Sequence, residues 1–121
     1  MNTSDKKFIL LAGWALFVLA SLTIPIDTGP DTGEAAYGDK LVHFILFAVF
    51  AWLLAGLLGS SRITARKTLA ARAFGLSLLY AGLGEVWQTQ LPYRTASEWD
   101  LIAGLAGILT ALTIFYARPR T

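Results

Sequence analysis

LVHFILFAVFAWLLAGLL, residues 41–58, holds one ionisable side chain, His43, in 18 positions. At about 1.5 Å of rise per residue, a helix of that length nearly matches the roughly 30 Å of a bilayer's hydrocarbon core. The stretch therefore reads as a membrane span. Three other apolar runs take the same reading: Phe8 to Ile24, about Leu69 to Trp87, and Leu101 to Ala117. Segments rich in Gly, Pro, Ser, Thr and charge separate them at 25–40, 59–68 and 89–100, as loops would. The expected architecture is all-α, a single domain over 1–121, polytopic, with a four-transmembrane-helix bundle and both termini on one side.

Composition agrees with that reading. Of the 121 residues, 55% are hydrophobic and the mean hydropathy is positive, which a soluble domain of this size rarely tolerates. Cysteine is absent, so disulfides, thiolate nucleophiles and cysteine-ligated metals are excluded. The net charge of +2 matters less than its distribution. Lys6, Lys7, Arg62, Arg66, Lys67, Arg72, Arg118 and Arg120 fall on the side of the termini and second loop, whereas Lys40 and Arg94 fall on the other. The positive-inside rule then gives an N-in/C-in protein of the cytoplasmic (inner) membrane. Asp27, Asp31, Glu34, Asp39, Glu85, Glu98 and Asp100 make the outer surface acidic, with Asp5 alone inside. Lys6, Lys7 and the first run also have the outline of a signal peptide. A run of 17 residues is long for one, however, and no clean A-x-A motif precedes Pro25, so an uncleaved first helix is expected.

Small residues at four-residue spacing mark faces where helices approach closely in lipid. Ala103, Gly107 and Ala111 form such a stripe in the fourth run, and Ser77 with Ala81 forms a shorter one in the third, continuing onto Glu85 with Gln88 beyond it. Trp87, Tyr93 and Trp99 at the outer edge and Phe8 and Tyr116 at the inner edge suit interfacial belts. Asp-Thr-Gly occurs at Asp27 to Gly29 and again at Asp31 to Gly33. That tripeptide carries the carboxylate of aspartic proteases, but those join two copies from separate lobes. Two copies four residues apart are better explained as turns.

Charge beside lipid costs about 2.5–3.5 kcal/mol per residue at a helix centre, so ionisable residues at span ends raise a functional question. Lys40, Asp39 and His43 stack on one helical face by their i+3 and i+4 spacing. Asp39 also suits an N-cap or first-turn position, where it would complement the helix dipole. His43, one turn into the span, lies close enough to water to exchange a proton. Glu85 lies near the outer end of the third run, where His43 or Arg94 could pair with it. An Arg94–Asp100 ion pair is the plainer account of those two residues. The planar fork of Arg94 would also suit a phosphate or carboxylate. One histidine with scattered carboxylates makes a poor zinc set, although Glu85 and Asp100 leave a hard-cation site open. No cofactor and no nucleic-acid partner is expected.

In order, Asp39-Lys40-x-x-His43-Phe44, Glu85-x-x-Gln88, Arg94, and Asp100 followed by a glycine-bearing helix resemble the VanZ-like family of small bacterial membrane proteins. The resemblance covers about Tyr37 to Gly107. It implies a cell-envelope role, the family being named for a member linked to teicoplanin resistance, and site residues Asp39, Lys40, His43, Glu85, Gln88, Arg94 and Asp100. Gly104 stands where the family often has asparagine. Three functions are then expected to compete. The first is binding of an anionic lipid or lipid-linked cell-wall precursor by Lys40 and Arg94, with His43, Glu85, Gln88, Asp100 and Asp39 completing the pocket. The second is hydrolysis or group transfer with His43 and Glu85 as acid and base, for which Thr89, Thr95 and Ser97 offer no marked nucleophile. The third is a structural or assembly role.

Overall fold

The computed structural model describes residues 2–23, 33–58, 65–90 and 98–117. They form α1 (Thr3–Thr23), α2 (Gly33–Leu58), α3 (Arg66–Thr89) and α4 (Glu98–Ala117). Each is long and apolar enough to cross a membrane. The helices outrun the apolar runs at their polar ends, most of all in α2, which begins at Gly33 rather than near Leu41. Hydropathy marks the residues that tolerate lipid, whereas a helix continues wherever backbone propensity permits, as it does through Glu34, Ala35 and Ala36. Asp39 consequently lies inside α2 and is neither an N-cap nor a first-turn acid, contrary to the expectation from sequence. The paired Asp-Thr-Gly stretches lie outside the described residues, except that Gly33 opens α2.

Successive helices alternate in direction. The α2 and α3 helices each touch all three others, while α1 and α4 flank this central pair and, among the described residues, do not meet. One end of the bundle gathers Lys40, Glu85 and Asp100, the opposite end Lys6, Lys7, Arg66, Lys67 and Arg72. They are termed here the acidic and the basic end. Val18, Ala51, Ala55, Ala73 and Ile108 are fully buried between the helices, whereas Phe8, Leu16, Leu79, Leu83, Ile102 and Ile114 point outward. A soluble monomer rarely exposes so much contiguous apolar surface.

The closest approach is between α2 and α4. A Cβ at Gly107 would run into the carbonyl oxygen of Phe44 and come within 3.2 Å of the Ala48 amide nitrogen. Backbone thus lies on backbone, and no side chain fits. One turn away, a Cβ at Gly104 would sit 2.9 Å from Cδ2 of Phe47, whose ring covers that glycine. Ala111 continues the buried stripe, with Ala103 half-buried at its other end. On α3 the buried face runs Leu69, Ala73, Ser77, Ala81, then Gly84 and Gln88. It leaves the expected continuation to Glu85, which is half-buried. At 3.6 residues per turn, a strict four-residue step drifts by about 40° each time, and the three-residue step to Gly84 returns the face to its neighbours.

Two aromatic side chains bind across helices to backbone. Trp14 Nε1 donates to the Leu46 carbonyl at 2.9 Å, and the Tyr80 hydroxyl donates to the Ala15 carbonyl at 2.5 Å. Each carbonyl has a second lone pair for this, beside its helical bond. Tyr80 also stacks on Phe50 with ring centroids 4.6 Å apart and meets Phe47 edge-on at 6.1 Å.

The glycines make a paired test. Gly107→Ala is expected to lower stability by about 3 kcal/mol, the upper range for overpacking, because the obstacle is backbone. Gly13→Ala has nothing within 4 Å of the added carbon and should be neutral, or stabilising by up to about 1 kcal/mol through helix propensity. Unfolding in detergent micelles measures both. Equal effects would contradict the close approach of α2 and α4.

Candidate functional site

At the acidic end three helices each bury a polar side chain. His43 of α2 is 4% exposed, Gln88 of α3 2%, and Asp100 of α4 4%. Lys40, one turn outward from His43, sits at the rim with 35% of its side chain exposed, its Nζ 4.0 Å from Asp100 Oδ1. Asp100 therefore meets the cation of α2. The expected Arg94 pairing falls on a residue outside the described ones. With about a third of Lys40 open to solvent and the atoms 4.0 Å apart, this pair contributes position more than stability.

The helix register explains the gathering. Because Phe47 faces Tyr80 on the antiparallel α3, one turn toward the acidic end brings His43 to the level of Gly84, with Gln88 a turn beyond. Because α4 runs parallel to α2 with Gly107 on Phe44, Asp100 reaches the level of Lys40. The imidazole of His43 stacks over Phe47, with centroids 6.5 Å apart and planes 29° from parallel.

Gln88 ties the site to α1. Its Nε2 donates to the Leu22 carbonyl at 3.4 Å, one of the last four carbonyls that α1 leaves without a helical partner. Beside it Trp87 Nε1 donates to Thr23 Oγ1 at 2.8 Å, and Gly84 is so close to α1 that a Cβ would lie 2.8 Å from Leu22 Cδ1. The Gln88 Oε1 is buried and accepts no hydrogen bond among the described residues. A buried amide oxygen in that state is a ready acceptor for a ligand's hydroxyl or amine.

Glu85 is half-buried one turn before Gln88. Asp39 lies on α2, and its side chain, like all of Arg94, is outside the described residues. The described side chains of the site carry one cation, Lys40, and two carboxylates, Glu85 and Asp100, together with one imidazole. Among hydroxyls, Thr89 Oγ1 donates to the Val86 carbonyl at 2.6 Å, a local helix-end bond and not the posture of a nucleophile. Among the described residues, no three His, Asp or Glu gather as a metal set. Two contributors went unnoticed in the sequence: Phe47, which packs on His43 and fills the space over Gly104, and Gly84, which lets α1 approach. Phe47 stands four residues after His43, a spacing that could have flagged it.

Compared with known proteins, the chain matches no protein-family model, no curated protein and no solved structure.

Gln88 separates packing from polarity. Gln88→Leu, which keeps the volume and removes the orphan oxygen, is expected to be more stable than Gln88→Ala by about 2 kcal/mol, the cavity cost of the smaller residue. Parallel detergent unfolding curves would show it. Equal destabilisation by both would mean that the amide's bond to Leu22 is what holds α1 to α3.

Proposed function

We propose that this is a multi-pass protein of the cytoplasmic membrane, N-in and C-in, whose acidic end faces the cell envelope and binds an anionic lipid or lipid-linked cell-wall precursor. The observation that carries the reading is the burial of His43, Gln88 and Asp100 on three separate helices at one end, beneath a half-exposed Lys40. Ionisable groups in such a setting cost stability and are retained where they do work. Lys40, with Arg94 from the adjoining segment, receives the ligand's anionic group; His43, Gln88 and Glu85 contact the polar atoms beneath. The order of these residues also supports membership of the VanZ-like family, and with it an influence on glycopeptide susceptibility. The sorting of Lys and Arg to the basic end supports the orientation.

His43 and Glu85 are chemically suited to acid and base roles as well. Binding is preferred because Lys40 at the rim and the buried Gln88 Oε1 beneath offer contacts to a ligand's anionic and polar atoms. Mass spectrometry of lipids that co-purify with the protein, before and after long incubation, separates the two. A retained species that is converted would overturn binding in favour of catalysis.

Two outcomes are expected. His43→Ala and Glu85→Gln reduce the co-purifying lipid about tenfold, equivalent to about 1.4 kcal/mol, while protein levels in the membrane stay near wild type. Parallel loss of protein and lipid would instead favour a structural or assembly role. On this cysteine-free chain, Glu34→Cys reacts with an impermeant thiol reagent on intact cells. Labelling that requires lysis would reverse the orientation.

A further inference from the structure

At the basic end, far from the polar site, α1 and α2 leave between them a groove of about 170 Å³ lined by Lys7, Leu10, Trp52, Leu53 and Gly56. A single water needs roughly 10–15 Å³ on this measure and two to four polar partners. The groove is far larger than that, and all of its lining except Lys7 is apolar. Its rim and depth differ in chemistry. Lys7 and Gly56 form the rim, where Lys7 Nζ donates to the Gly56 carbonyl at 3.3 Å. That carbonyl lies in the last turn of α2. An ammonium has three donors, so two remain for another acceptor. Leu10, Leu53 and Trp52 lie about one turn deeper along their helices and offer only hydrocarbon and an indole face.

The surroundings select the sign of the occupant. Lys6, Lys67 and Arg72 are exposed at this end and Arg66 is half-buried, with Asp5 the single acid among the described residues there. A zwitterionic headgroup would find carboxylate for its ammonium only at Asp5, whereas a phosphate bearing net negative charge would find cations throughout.

We infer that this groove is a binding site for one anionic phospholipid, an acyl chain lying along Leu10, Trp52 and Leu53 and the phosphate held by Lys7. The inference rests on the membrane-spanning reading proposed above, because only then is lipid what faces the groove. It is independent of the ligand proposed for the acidic end.

The test uses the full chain in nanodiscs of phosphatidylcholine alone or mixed with phosphatidylglycerol, with retained lipid counted by native mass spectrometry. Wild type is expected to retain phosphatidylglycerol in preference to phosphatidylcholine. Lys7→Gln should weaken that retention about fivefold, the loss expected from removing one cation at an anionic surface. Leu10→Trp fills the groove without touching the charge and should weaken it as well, whereas Leu16→Trp, outside the groove on the same helix, should not. Equal retention of the two lipids by wild type, or equal phosphatidylglycerol retention by wild type and Leu10→Trp, would overturn the site. Extraction of the protein from cell membranes by alkaline carbonate would overturn the spanning reading itself, and the inference with it.

Discussion

The contact of the α4 backbone with the α2 backbone at Gly107 is the constraint on which the other placements depend. In the membrane setting proposed above, apolar side chains gain little by leaving lipid for protein, so close packing carries the association of helices. At Gly107 the two chains come so near that only a hydrogen fits between them. That contact fixes the slide of α4 along α2. The Phe47 ring then lies over Gly104, and Asp100 comes level with Lys40. Because α2 and α4 run the same way, α3 must return between their ends, and it packs on both.

A second demand shapes the ends. Carbonyls in the last turn of each helix have no partner within it, and in an apolar setting such a group must be met by protein. Long side chains from neighbouring helices meet it here. Lys7 reaches the end of α2 and Gln88 the end of α1. Trp14 and Tyr80 serve a related purpose deeper in the bundle, joining α1 to α2 and α3 through carbonyls that already have a helical bond. The buried polar groups of the acidic end therefore belong to a wider pattern in which polar side chains locate helices. His43 and Asp100 stand apart as its buried ionisable members.

Much of this was legible along the chain, and the rest was not for a definable reason. Helix number and the small-residue stripe at Gly107 and Ala111 are local properties, visible as apolar length and as spacing within one run. His43 and Asp100 were visible as candidates because an ionisable residue at the edge of an apolar run is conspicuous. The approach of Lys40 to Asp100 was not visible: 60 residues separate them in sequence, and the slide of α4 on α2 brings them to 4.0 Å, while the expected Arg94 pairing lies outside the described residues. The buried end of α3 was misjudged in the same way, since a two-residue stripe at Ser77 and Ala81 points equally well to Glu85 or, by a three-residue step, to Gly84 and Gln88. The start of α2 was missed because hydropathy is silent about helix that continues beyond the apolar run, which also put Asp39 at a helix beginning it does not occupy.

The separation of α1 from α4 has a consequence for how the chain is assembled. The ribosome delivers these helices in order, so α1 can settle only against α2 and then α3. Until α4 emerges, Phe44 and Ala48 have no glycine against them, and Lys40 has no Asp100. Until then His43 and Lys40 sit on a face of α2 that α4 does not yet cover. The acidic end comes into being with the arrival of the last helix. A chain halted after α3 would hold most of the site's residues but lack Asp100 and the packing of α4 on α2.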